Sequence, residues 1–249
     1  MAVLNTDRQS LKISDPDSAG GRLIVLNRPD KANALNAGLV EAIHEALDTA
    51  IMERKRALIF TGAGKNFCAG FDFTDHENAT TAELVQRFVR IEALLQRLRR
   101  APFVTISLIQ GPAYGAGADL AAACAFRIGT SASRFRFPGF QFGVALGTRR
   151  LVRIIGMQQA RDILLRNRMV DAADAPRIGL LTECVRPERL QDAATGLLNE
   201  IKSLSDEAVG DILRITGEDT DERDLANLVH SLSREGLHQR INTYRTRLT

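Results

Sequence analysis

"GPAYGAGADLAAAC", Gly111 to Cys124, decides how this chain is read. Its glycines mark a tight turn, its alanines a short helix, and Asp119 is the one acid it carries. Three uses compete for such a stretch: a nucleotide cradle, a closely packed structural turn, or half of an active site whose reacting acid is Asp119. Just upstream, "FVTISLI" (103–109) is an apolar, β-branched run that reads as a buried strand. The motif therefore opens a strand–turn–helix unit.

Working outward, the same alternation repeats. "RLIVLN" (22–27) reads as a strand, followed by a helix in which Leu39, Ile43, Ala46, Leu47, Ala50 and Ile51 share one face and Asn36 caps the start. "RALIFTG" (56–62) is the next strand, and the loop "AGKNFCAGFDF" follows it. A long amphipathic helix carrying Leu84, Phe88, Ile91, Leu94, Leu95 and Leu98 ends before Pro102. Beyond the opening stretch come strands at "FRIGT" (126–130), "RFRFP" (134–138) and "TECV" (182–185), with helices between. From Pro187 the pattern is helical almost to Thr249, with a break near 216–223. Strands alternating with helices imply an α/β layered core, here residues 1–190, and the strand-free remainder, 191–249, a helical region.

The 249 residues are 45% apolar and 25% charged, ordinary globular values. Lys and Arg outnumber Asp and Glu by only 33 to 30, with no basic block interleaved with aromatics, so no nucleic-acid partner is expected. Cys68, Cys124 and Cys184 are far apart and lack metal spacing, which points to a reducing cytoplasm and no metal site. The polar N-terminus lacks a signal-peptide core, and no run of about 18 apolar residues could span a membrane. His44 reads as structural, and Asp75 and His76 as surface residues.

Two nucleotide motifs fail on chemistry. The third glycine of a dinucleotide fingerprint would fall on Leu120, and a phosphate loop at "TGAGKNF" would need a glycine at Ile59 and a hydroxyl at Asn66. Instead, the turns at 62–73 and 111–116 each follow a buried strand and each can expose a backbone N–H. Two such groups aimed at one point form an oxyanion hole, which stabilises the oxygen of a thioester as it becomes an enolate. The helix starting near Ala116 adds its positive end.

At this point "LNRPDKANALN" (26–36), "LIFTGAGKNFCAGFDF" (58–73), "QGPAYGAGADLAAACAFRI" (110–128) and "ARDILLRNRMVDAADAPRIGLLTECV" (160–185) together resemble the successive motifs of the crotonase, or enoyl-CoA hydratase/isomerase, superfamily. The resemblance runs in order over about residues 22–185. It implies a spiral of repeated ββα units with a C-terminal helical region. It also implies acyl-CoA substrates without a separate cofactor, and packing into homotrimers or hexamers through the helical tail. By motif position the two oxyanion N–H groups would be those of Phe71 and Ala116. Ala69, Phe71 and Phe73 would receive the adenine, Ala34 would line the pantetheine arm, and Arg28 and Lys31 would neighbour the phosphates. Hydratases of the family use two glutamates. The first position is Asp119, for which catalysis and helix capping both stay open. The second is Gly139, which can move no proton, and the loop after it is shorter by about three residues. The expectation is single-carboxylate enolate chemistry such as enoyl-CoA isomerisation. The alternatives are hydration with a substitute acid, or a non-catalytic acyl-CoA-binding or scaffold protein.

Overall fold

The strands and helices read from the sequence are all present in the structure, a computed structural model that describes residues 10–16, 20–217 and 219–247. β1 (Leu11–Ser14) and β2 (Gly21–Leu26) lead into α1 (Ala37–Met52), and β3 (Ala57–Gly62) leads into α2 (Thr81–Arg99). β4 (Val104–Ile109) and β5 (Pro112–Tyr114) precede α3 (Ala116–Ala123). β6 (Phe126–Gly129) and β7 (Arg134–Arg136) precede α4 (Thr148–Ile155) and α5 (Met157–Arg166). β8 (Val170–Asp171), α6 (Asp174–Arg177) and β9 (Glu183–Cys184) come before α7 (Leu190–Glu200), α8 (Asp206–Thr216), α9 (Asp221–Leu232) and α10 (Leu237–Thr246).

Two sheets result, one ordered β1-β2-β3-β4-β6-β9 and one ordered β5-β7-β8. From β4 to β7 consecutive strands alternate between them, so β4–β5–α3 and β6–β7–α4 are successive ββα turns of one spiral. β2, β3, β4 and β6 are parallel neighbours, with Leu23 beside Ile59 and Ile59 beside Ile106. Alternation along β3 sends Leu58 and Phe60 into the core formed with α1, α2 and α3. Ala57 and Ile59 face the opposite side, where Leu190, Ala194 and Leu198 of α7 cover them.

Local chemistry accounts for the helix starts. The Asn36 side chain accepts from the Leu39 N–H at 2.8 Å, as expected. Thr80 and Glu83 form a reciprocal capping box at the start of α2. His44 is buried, with its Nδ1 facing Arg97 at 2.8 Å and its Nε2 facing the Arg90 carbonyl at 3.3 Å, the structural role expected of it.

Three strands were not foreseen. β1 lies in polar sequence and forms by pairing antiparallel with β2, while β5 and β8 are three and two residues long and have no local periodicity to read. The C-terminal helical run also breaks at 201–205 and 233–236. Most of the polar N-terminal stretch, and Thr249, lie outside the described residues. Among the described residues no helix is long and apolar enough to cross a membrane.

Candidate active site

The segments 67–71 and 112–116 meet edge to edge. Phe67 and Cys68 donate their N–H groups to the Pro112 carbonyl at 3.0 and 3.2 Å, and Tyr114 donates to the Cys68 carbonyl at 2.9 Å. On the other flank Leu35 donates to the Gly70 carbonyl at 2.7 Å and Asp72 to the Leu35 carbonyl at 3.1 Å. In that parallel bridge the intervening Phe71 N–H points away from Leu35. The Ala116 N–H opens α3 and belongs to the donors a helix leaves unsatisfied. Neither N–H has an acceptor among the hydrogen bonds of the described residues.

Glycine makes this approach possible. Gly70 has φ +93°, and a Cβ there would lie 2.5 Å from the Tyr114 oxygen and 3.0 Å from the Ala116 nitrogen. Gly117 packs α3 so tightly that a Cβ would fall 2.3 Å from the Cys68 oxygen. Phe71 and Ala116, expected together, are together.

Asp119 does not cap its helix. The N-cap of α3 is Gly115, no side chain bonds the first turn, and the Asp119 N–H already donates to the Gly115 carbonyl at 3.0 Å. That removes the capping alternative. The carboxyl is buried at 5% residue exposure and faces Gly147, where an added Cβ would lie 1.9 Å from its Oδ1. Behind it Arg150 of α4 grips Glu92 of α2 through two bonds of 2.9 and 2.5 Å, both side chains being at most 2% exposed. Asp224 of α9 approaches the same guanidinium at 4.0 Å. Burial pushes the Asp119 carboxyl well above the usual carboxylate range; Arg150 opposes that shift and Glu92 adds to it.

At Gly139, where the resemblance sets the second acid, backbone closes the space. Gly139 lies in the 3-10 turn 138–142, accepts from the Val144 N–H at 2.9 Å, and would place a Cβ 2.6 Å from the Val144 oxygen. The Val144 backbone thus occupies the space into which a side chain at position 139 would project. Aromatic rings line the neighbouring wall: Phe71 stacks on Phe88 at 4.2 Å, Phe73 meets Phe142 edge-on at 5.8 Å, and Phe142 meets Tyr244 of α10 at 5.0 Å.

Helix α10 is fastened over this wall. Arg240 donates to the carbonyls of Phe142 and Gly143 at 2.8 and 3.2 Å. His76 contradicts its expected surface position: it is fully buried, with Nε2 at 2.5 Å from Asn242 Oδ1 and Nδ1 at 2.8 Å from the Phe73 carbonyl. Its polar sequence context gave no hint of a helix arriving from 166 residues away.

Of the expected coenzyme-side residues, Ala34 is buried, Ala69 is exposed and donates its N–H to the Ala32 carbonyl at 2.9 Å, and Phe73 is half-buried. Lys31 is exposed and has no ion-pair partner among the described residues. Arg28 is committed elsewhere, to Asp72 Oδ2 at 2.8 Å and the Ala34 carbonyl at 2.5 Å, so it braces the loop. Sequence reasoning missed Glu92, Arg150 and Asp224. For Glu92 a signal existed: it falls four residues after Phe88 and three before Leu95, a charge on the apolar face of α2.

A two-sheet ββα spiral of this kind is the fold of the crotonase superfamily. The sequence model described as enoyl-CoA hydratase/isomerase matches residues 18–233, and the chain belongs to that family of enzymes. It is 31% identical over 189 residues, 69% of each chain, to an enoyl-CoA isomerase/hydratase from Mycosarcoma maydis. It is 33% identical over 170 residues to the ethylmalonyl-CoA decarboxylase of Mus musculus, covering 66% of this chain and 53% of that protein. The crystal structure of an enoyl-CoA hydratase/isomerase from Bordetella parapertussis superposes with a TM-score of 0.91 at 40% identity, covering 94% of this chain and 98% of that one.

Proposed function

We propose that the protein stabilises an acyl-CoA enolate between the Phe71 and Ala116 N–H groups and moves one proton with Asp119, the simplest such reaction being enoyl-CoA isomerisation. The observation that carries this is the pair of acceptor-free N–H groups held together by Gly70, with the buried Asp119 carboxyl in the first turn of the helix that Ala116 opens. Ionised Asp119 takes the α-proton of a 3-enoyl thioester, and the electron pair moves onto the thioester oxygen in the hole. The same proton then returns at the γ-carbon to give the conjugated 2-enoyl ester. No metal or redox group takes part in those steps. This reading assigns Ala34, Ala69, Phe73 and Lys31 to the coenzyme, and the exposed Met157, Leu165 and Ile215 suit packing into a trimer or hexamer.

Hydration is disfavoured because Val144 fills the second acid position and Glu92, the nearest other buried acid, is held by Arg150. A second reading draws on the proton that Asp119 favours and on the decarboxylase relative. A malonyl-type thioester loses CO2, its electron pair forms the enolate in the hole, and protonated Asp119 supplies the new C–H bond. Acyl-CoA panels followed by product analysis separate these. Isomerisation rises with pH as Asp119 ionises, whereas decarboxylation falls over the same range. Absence of binding to any acyl-CoA by calorimetry would instead leave a scaffold.

A further inference from the structure

Besides the segment at Cys68, the main contacts of α3 are with α2, α4, β4 and β5. The last two bring no charged side chain, so the charges around Asp119 come from the helices. Arg90 and Arg97 of α2 are turned away to Glu41 and Asp48, and Arg99 to Asp221. Glu92 alone of the α2 acids is buried with Asp119. From α4 come Arg150, buried, Arg149, which is half-exposed and lies 3.3 Å from Asp224, and Arg153, which donates to the Thr220 hydroxyl. The start of α4 at Gly147 also faces the carboxyl, with its positive end favouring an ionised group.

Counting the buried groups, the charge on Arg150 is already matched by Glu92, with Asp224 4.0 Å away. Asp119 makes no hydrogen bond to either side chain among the described residues, so an ionised Asp119 would be a surplus buried negative charge. We propose that the Glu92–Arg150 pair is a positioning element that keeps the proton on Asp119, by engaging the one buried guanidinium that would otherwise hold that carboxylate ionised. Resting on the Asp119 assignment above, this names the pair that sets its protonation state: the base form that isomerisation needs then exists only above the raised pKa, and the acid form that the decarboxylation reading needs is present below it. Glu92 touches no reacting atom and acts through Arg150.

The test reads the proton directly. In infrared difference spectra of wild type against Asp119→Asn, a protonated carboxyl band is expected at pH 7. In Glu92→Gln, which keeps the shape but frees the charge of Arg150, the band should titrate about 1–3 pH units lower. Glu92→Asp should restore the wild-type titration. The double variant Glu92→Gln, Arg150→Gln, lacking both charges, should keep the band, and it decides the matter where the single variant fails to fold. A wild-type band that titrates near an ordinary carboxyl pKa of about 4 overturns the proposal, as does one unmoved by Glu92→Gln. Because the band is seen without turnover, these results are independent of the functional assignment, which fails separately if Asp119→Asn keeps its activity.

Discussion

The two flanks of the site, which in the family's hydratases would each carry an acid, have diverged in opposite directions. On the α3 flank Asp119 is kept, and space is reserved for it down to the missing Cβ of Gly147. On the other flank, Gly139 has its absent side chain replaced by the main chain of Val144. One flank is built of ions and the other of backbone. The difference teaches that at position 139 the backbone of the loop, and not one side chain alone, excludes a carboxyl, and on the proposed function all proton movement is then left to Asp119.

Replacing that carboxyl is the harshest way to break the comparison. Asp119→Asn should lower kcat by about 10²–10⁴ while the Kd for an acyl-CoA ester stays nearly unchanged, as measured by steady-state kinetics and calorimetry. Unchanged turnover would move the chemistry to the Gly139 flank. Next in size is Gly70→Ala. Its φ of +93° and the crowded Tyr114 oxygen would force apart the two segments that carry Phe71 and Ala116. A kcat loss of about 10²–10³ is expected, the scale of one oxyanion donor. An unaffected kcat would show that the paired N–H groups do not hold the reacting oxygen.

Gly139→Glu sharpens the other side. If the loop is what excludes a second acid, the added side chain cannot enter. The variant then gains no hydration of crotonyl-CoA and loses about 1–3 kcal/mol of stability in urea melts, the cost of crowding a packed site. A variant that hydrates would show the glycine to be a simple deletion of function.

These two flanks were unequally legible in the sequence. Phe71, Ala116, Asp119 and the absent acid at Gly139 are assigned through the family resemblance, whose motifs are short local runs that a sequence shows directly. Glu92 and Arg150 could not be placed, since "QRFVRIEALLQRLRR" reads as an amphipathic helix with a wet face, and only the packing of α4 shows which charges are enclosed. His76 was misplaced for the same reason: its burial depends on α10, whose arrival no local pattern announces. Arg28, expected to neighbour the phosphates, is hydrogen-bonded to Asp72, a partner 44 residues away that no local pattern announces. The fold followed from periodicity except at β1, β5 and β8, which exist through pairing partners and not through their own residues.

The smallest expected effect is one of stability, and its sign separates an acid held neutral from an ordinary buried ion. In the folded chain burial raises the Asp119 pKa well above 3.8, its value when unperturbed. Between that value and the raised one, the native state binds more protons than the unfolded state, so unfolding free energy falls as pH rises through the window. The cost is absent below about pH 4 and fully present only above the folded pKa. Asparagine has the same shape and never ionises. Asp119→Asn and wild type should therefore melt together at about pH 4, while at pH 8 the inactive variant should melt higher, at about 2–4 °C per kcal/mol for a chain of this size. A variant that melts lower at pH 8 would mean that Arg150 stabilises the Asp119 carboxylate. The α3 flank would then be a structural salt-bridge cluster, and its contrast with the backbone-filled flank would cease to be one of chemistry.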